Sequence, residues 1–293
     1  MRRIFSFWRL FALAVLGLAI YAAATTEAAT VARGGPHVAR FDVTGVITAD
    51  PARDALLREL AADPSVAAAM IRIDSPGGTV AGSEALYEAI RAVAEAKPVV
   101  AQMEEVAASG GYIAAIAADH IVARGNTLTG SIGVVKQEVD ARGLLDTLGV
   151  AITERRSDVF KARPSPFSDT PPEVDAWEEE LLDDAYQWFR ALVAERRGLA
   201  GAELDDAANG RAFSGRQALA RGLIDEVGGP EAALDWLAAN GVAKDLPVRQ
   251  AEVERERDSW LGRFLGLDAS ELALAGTQLK RLTSGPRFYS ILQ

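Results

Sequence analysis

Residues 67–78, Ala-Ala-Ala-Met-Ile-Arg-Ile-Asp-Ser-Pro-Gly-Gly, decide the fold. Ala67 to Ile73 is a short, nearly continuous apolar run, the pattern of a strand buried on both faces. It breaks off at Asp74-Ser75-Pro76-Gly77-Gly78, where turn-forming residues cluster. A helix follows at Ala81–Ala96, with Ala85, Leu86, Ala89, Ile90 and Val93 on one face. Pro98 then opens a second strand, Val99–Met103. Ser109-Gly110-Gly111 introduces an apolar helix, Tyr112–Ala118, and a short strand comes at His120–Ala123. Strands alternating with helices at this spacing specify an α/β fold with a mostly parallel sheet and covering helices.

The same reading extends in both directions. Upstream, Val38–Ile47 alternates towards a strand with a bend at Gly45, and Ala52–Ala62 has helical spacing. Downstream come a strand at Ile132–Val135, a helix at Arg142–Leu148 and a strand at Val150–Arg155. A long helix runs from Pro172 to Arg197; its Trp177, Trp188 and Phe189 suit either core packing or a subunit contact. Ser214-Gly215-Arg216-Gln217 is a capped helix start, and Glu231–Ala239 is a last helix. These elements place the folded domain at 38–245 and leave 246–293 as a C-terminal extension. Residues 27–37 form a small, Gly-bearing linker.

The N-terminus is different material. Arg2, Arg3 and Arg9 flank an uncharged apolar run from Leu10 that reaches 17 residues at Thr26. That is at the short end of what spans a bilayer as a helix. Ala22-Ala23-Ala24 also offers a small-residue cleavage site, so a removed secretory signal competes with an anchor. We expect residues 1–26 to anchor the chain in the lipid bilayer through residues 10–26. The basic flank then stays in the cytoplasm and the domain is exported.

Composition removes several functions. A net charge of −10 and a pI of about 4.9 disfavour a nucleic-acid partner. There are no cysteines and only two histidines, His37 and His120, so zinc-thiolate, thiol and multi-imidazole chemistry are out. No ligand cluster calls for a metal or a cofactor.

Three turns remain that carry chemistry. Gly77-Gly78 leaves a buried strand, and without side chains its N–H groups can face a ligand. Ser109-Gly110-Gly111 stands at a helix start, where N–H groups lack partners and the dipole favours negative charge. An oxyanion forming beside Ser109 can take hydrogen bonds from Gly78 and Gly110. Alone, each turn is more often a cap or a bend; after successive strands of one sheet they converge on one edge. A serine nucleophile needs a proton acceptor. His120 opens a buried strand and His37 lies in the linker, which leaves the lysines. Lys161 stands out, within the apolar, proline-stiffened run Val159 to Phe167 and beside Arg155, Arg156 and Arg163. Burial and like charges both favour a neutral amine. A solvated loop lysine is the ordinary alternative for that segment taken by itself. Ser131, between Gly130 and Ile132, is either a turn serine or the hydroxyl that orients such a lysine.

Taken together, Asp74-Ser75-Pro76-Gly77-Gly78, Ala108-Ser109-Gly110-Gly111-Tyr112, Thr129-Gly130-Ser131-Ile132-Gly133-Val134 and Phe160-Lys161-x-x-x-Ser165-Pro166-Phe167 resemble the bacterial signal-peptide peptidase family, also called protease IV. Gly210-Arg211-x-Phe213-x-Gly215-Arg216-x-Ala218 and Gly222-Leu223-Ile224-Asp225 continue the likeness over roughly residues 38–240. The resemblance implies a Clp/crotonase-like fold and a Ser–Lys dyad. Ser109 would be the nucleophile, Lys161 the general base and Ser131 the hydroxyl that holds the lysine. It also implies apolar peptides such as signal-peptide remnants as substrates. The setting would be the extracytoplasmic side of a bacterial inner membrane, with homo-oligomeric rings whose subunits share sites. Ala162 departs from the family's usual Asp, which puts a local ion pair in doubt. Two rivals fit less well: a crotonase-fold acyl-CoA hydratase or thioesterase, and a membrane scaffold on an inactive peptidase fold.

Overall fold

The computed structural model describes residues 35–253; the expected anchor at 1–26, most of the linker and the tail from 254 onward lie outside them. The expected strand at 67–73 is the centre of a longer one, β2 (Val66–Gly78). Its neighbours are β1 (His37–Ile47) and β3 (Val99–Ala108), both parallel to it. Beyond β3 the edge is shared in sequence. β4 (His120–Ala123) pairs with Val100–Met103, and β5 (Leu128–Gly130) pairs with Val106–Ala108. β6 (Ala212–Ser214) closes that side against β5 and is the antiparallel member; β7 (Glu226–Val227) runs parallel to β4. On the far edge β8 (Val248–Ala251) pairs with β1, so the sheet reaches past residue 245.

Helices cover both faces, as the alternation requires. α1 (Pro51–Ala62) starts at an Asp50 cap, and α2 (Val80–Ala96) at a Thr79 cap that accepts the Gly82 N–H. α2 buries Leu86, Ala89, Ile90 and Val93, the stripe legible in the sequence; each fully buried Leu or Ile contributes about 1.5–3 kcal/mol. α3 (Gly110–Ile116) is buried at every residue, and the Tyr112 hydroxyl donates to the Leu223 carbonyl at 2.8 Å. Burial pushes the Tyr112 phenol far above its ordinary pKa, so it stays neutral and acts as a bolt between α3 and the 222–225 turn. On the opposite face α8 (Pro230–Ala239) packs Ala233 and Leu237 on Val38, Met70, Val100 and Val122.

Between β5 and the long helix α5 (Pro172–Arg197) the chain leaves the sheet. Strands expected at Ile132–Val135 and Val150–Arg155 do not form. Ile132 is buried and its carbonyl accepts the Gly210 N–H, but the pairing goes no further, and Val135, Val150 and Ile152 stand 80%, 48% and 44% exposed. The helix expected at Arg142–Leu148 is present as α4 and buries none of its residues. α6 (Gly201–Ala207) and α7 (Gly215–Ala220) complete the chain; α7 begins with a reciprocal Ser214/Gln217 capping box. Among the described residues no helix is long and apolar enough to cross a membrane.

Candidate active site

Ser109 sits where β3 ends and α3 begins, with φ 53° and ψ −118°. A side chain other than glycine seldom takes positive φ, and holding one there costs about 1–3 kcal/mol. The surrounding sheet enforces it. Ala108 pairs with Gly130, and the Ser109 N–H donates to the Gly130 carbonyl at 2.9 Å. That pairing brings Ser131, the next residue along and also at positive φ (50°), beside Ser109. Ser131 is braced in turn, its N–H donating to the Arg211 carbonyl at 2.9 Å while the Gly210 N–H donates to the Ile132 carbonyl at 3.0 Å. Phe213 packs against Gly130, where a Cβ would come within 2.8 Å of its ring. The run Gly210–Phe213 therefore serves as a brace for Ser131.

The glycine turn after β2 is built with little slack. The Ser75 hydroxyl donates to the Gly45 carbonyl at 2.6 Å and accepts the Gly77 N–H at 3.1 Å. Gly77 has φ 106°, and a Cβ there would fall 2.8 Å from the Gly110 nitrogen and 3.0 Å from the Ser109 Cβ. A Cβ on Gly78 would sit 1.8 Å from the Ile47 carbonyl oxygen, and one on Gly110 would lie 3.2 Å from the Gly78 nitrogen. Absent side chains thus allow the two backbone segments to meet next to Ser109.

Gly78, Ser109, Gly110 and Ser131 line one cavity of about 280 Å³. Its walls are Val80, Ile113, Val134 and Val135, with Ala185, Trp188 and Phe189 from α5; among the described residues no charged side chain lines it. Trp188 and Phe189 thus form part of the site wall, whereas Trp177 meets Phe160. Sequence reasoning had left them between core packing and subunit contact.

Lys161 does not line this cavity within one chain. It lies on a turn of the segment between β5 and α5, is exposed, and has Phe160 beside it 43% exposed and edge-on to Trp177. The apolar neighbours expected to desolvate the lysine leave it exposed: Phe160 and Phe167 are themselves exposed, and Val159, Pro164 and Pro166 are half-buried. The turn itself is well made: Glu154 accepts hydrogen bonds from the Ser165 and Ser168 hydroxyls at 2.8 and 2.7 Å and pairs with Arg156 at 2.6 Å. Arg156, then Ser168 and Ser165, hold the Glu154 carboxyl down to about 2. Nothing in the spacing of Glu154 had marked it as the clasp of the Lys161 turn.

Neither histidine lines the cavity. His120 stacks on Trp236, ring centroids 4.9 Å apart, and faces Asp225 and Glu226. Among the described residues no group of three metal-ligating side chains forms.

Residues 91–244 match Peptidase family S49. The chain belongs to that family. It is therefore a serine peptidase, and the resemblance to the signal-peptide peptidase family is borne out. A putative protease of Synechocystis sp. is 38% identical over 203 residues, 69% of this chain and 73% of that protein. A putative signal peptide peptidase of Enterococcus faecium is 31% identical over 213 residues, 70% of this chain and 61% of its own length. The chain spans only 25% of a chloroplastic serine protease of Arabidopsis thaliana, at 40% identity.

Proposed function

We propose that this S49 peptidase is a membrane-anchored endopeptidase. In this reading it cuts signal-peptide remnants and similar apolar peptides, with Ser109 as nucleophile and Lys161 of a neighbouring subunit as general base. One observation carries the reading: Ser109, Ser131 and the Gly78 and Gly110 backbones share an uncharged cavity, while the only lysine in the family's motif stands exposed outside it. An arm with Val139, Leu144, Leu148 and Phe160 exposed has apolar surface for a second copy to cover, and covering it would also desolvate Lys161.

In the reaction, the uncharged Lys161 amine accepts the Ser109 proton as Oγ attacks the scissile carbonyl. The Gly78 and Gly110 N–H groups hold the oxyanion. The lysine returns the proton to the leaving amine, giving an acyl-enzyme. A water then attacks the ester, passing its proton through Lys161 back to Ser109 Oγ. The Ser131 hydroxyl holds the amine in line. The uncharged walls of the cavity favour an apolar side chain next to the cut bond, and the basic, apolar N-terminus at residues 1–26 would keep the enzyme at the bilayer where such peptides collect.

Hydrolysis of a purified signal peptide and of apolar peptide esters by wild type, Ser109→Ala and Lys161→Ala tests this. Activity lost in both folded variants supports the dyad. Full activity in Lys161→Ala would place the base elsewhere.

A further inference from the structure

A third hydroxyl lies in the cavity, and the mechanism above does not use it. Ser83 stands in the first turn of α2, is 1% exposed and lines the site with Ser109, Gly110 and Gly78. Its local hydrogen bonding gives the helix little. The Ser83 N–H and the Ser83 hydroxyl both donate to the same Thr79 carbonyl, at 3.0 and 2.9 Å. A serine bonded back to the preceding turn in this way is neutral or slightly unfavourable for a helix, and alanine is the better helix former. The local structure therefore does not account for a hydroxyl at this position.

Its place in the site does. An ideal Cβ on Gly110 would lie 2.2 Å from Ser83 Oγ and 3.2 Å from the Gly78 nitrogen. The hydroxyl oxygen thus fills the space that a Gly110 side chain would occupy, at the point where the Gly110 and Gly78 backbones approach each other. Its bond to Thr79 fixes the oxygen to the helix whose cap follows Gly78 directly. Any change in how far Gly110 stands from Gly78 must push against this oxygen or leave a gap beside it.

We propose that Ser83 is a positioning residue for the oxyanion hole, its hydroxyl setting the separation of the Gly110 and Gly78 N–H groups. The inference rests on the assignment of Ser109 as nucleophile. It acts on the tetrahedral state rather than on the bound substrate, because donors misplaced by about 0.5 Å lose much of their effect on an oxyanion and little on a neutral carbonyl.

The test compares wild type, Ser83→Ala, Ser83→Cys and Ser109→Ala in the full chain. For each, kcat and KM on an apolar peptide ester, the thermal midpoint and inhibition by the matching peptide aldehyde are measured. The aldehyde forms a tetrahedral adduct with a serine nucleophile. Ser83→Ala is expected to lower kcat about tenfold with KM within about twofold, and to weaken the aldehyde about tenfold. Its thermal midpoint should be unchanged or higher. Ser83→Cys, which refills the space, should recover part of both losses. Unchanged kcat and aldehyde affinity in Ser83→Ala, with wild type inhibited and Ser109→Ala dead, overturns the proposal and leaves the Ser109 site standing. A kcat loss that only tracks a lowered thermal midpoint also overturns it, since it marks a packing role. Activity retained in Ser109→Ala overturns both the proposal and the reading beneath it.

Discussion

The two halves of the proposed dyad sit in regions of opposite build. Ser109 ends the central strand of the sheet, beside a helix buried at every residue, with its strained backbone held by a hydrogen bond to Gly130. Lys161 lies on a segment whose one helix buries nothing and whose Val139, Leu144, Leu148 and Phe160 side chains are exposed. Folding of one chain alone builds the Ser109 turn and the glycine cradle beside it. It leaves Lys161 exposed. In our proposal the nucleophile is therefore specified by folding and the base by association.

The largest effect expected on the buried half is loss of chemistry. Ser109→Ala should lower kcat/KM about 10⁴-fold on a peptide ester, with an unchanged circular-dichroism spectrum and thermal midpoint. A residual rate near wild type would break the assignment.

Next in size is a stability effect confined to the same half. Arg53 is buried, pairs with Asp54 at 2.7 Å, and donates to the Thr48 and Gly82 carbonyls, tying the end of β1 to the start of α2. Arg53→Met leaves Asp54 buried without its cation and should cost about 3–5 kcal/mol in urea unfolding. The double variant Arg53→Met, Asp54→Leu should recover most of that. A single-variant cost under about 1 kcal/mol would mean the pair is not the clasp we take it to be.

For the arm the expectation reverses. Leu144→Asp with Leu148→Asp should leave the thermal midpoint of the subunit unchanged, because α4 buries nothing. Self-association measured by sedimentation should weaken by about 30-fold or more, and activity should fall with it. Destabilised but fully associated protein would contradict the division into two regions.

The smallest effect concerns the Lys161 turn. The folded-state pKa of Glu154 is depressed to about 2, so what it contributes to the turn is present above the ordinary carboxylate range and lost as pH falls through about 2. Hydrogen exchange of residues 154–168 should therefore stay slow through pH 4, and Glu154→Gln should speed it at neutral pH. Loosening of this turn in wild type at pH 4 to 5 would show that the clasp is weaker than its geometry indicates.

Much of the buried half was legible in the sequence. The apolar run at 67–73 and the α2 stripe could be read because their surroundings come from the chain itself, through periodicities of two and of 3.6. Ser109 and Gly78 could be read because glycine marks the places where backbones meet. Ser83 could not, since a small residue among alanines on a helix gives no signal until Gly110 is seen beside it. β5, β6 and β7 are too short to leave a pattern. Val150–Arg155 misled for the opposite reason: its alternation had no sheet edge to answer it. The exposure of Lys161 was invisible because hydrophobic neighbours in sequence do not say which way they face.

The most direct test of a site divided between subunits is to mix Ser109→Ala and Lys161→Ala chains, unfold and reassemble them together, and assay the product. Random assembly of equal parts predicts about a quarter of wild-type activity, because only sites that draw serine from one chain and lysine from the other are complete. If Ser109 and Lys161 of a site came from the same chain, every mixed site would lack one of them, and the reassembled protein would stay inactive.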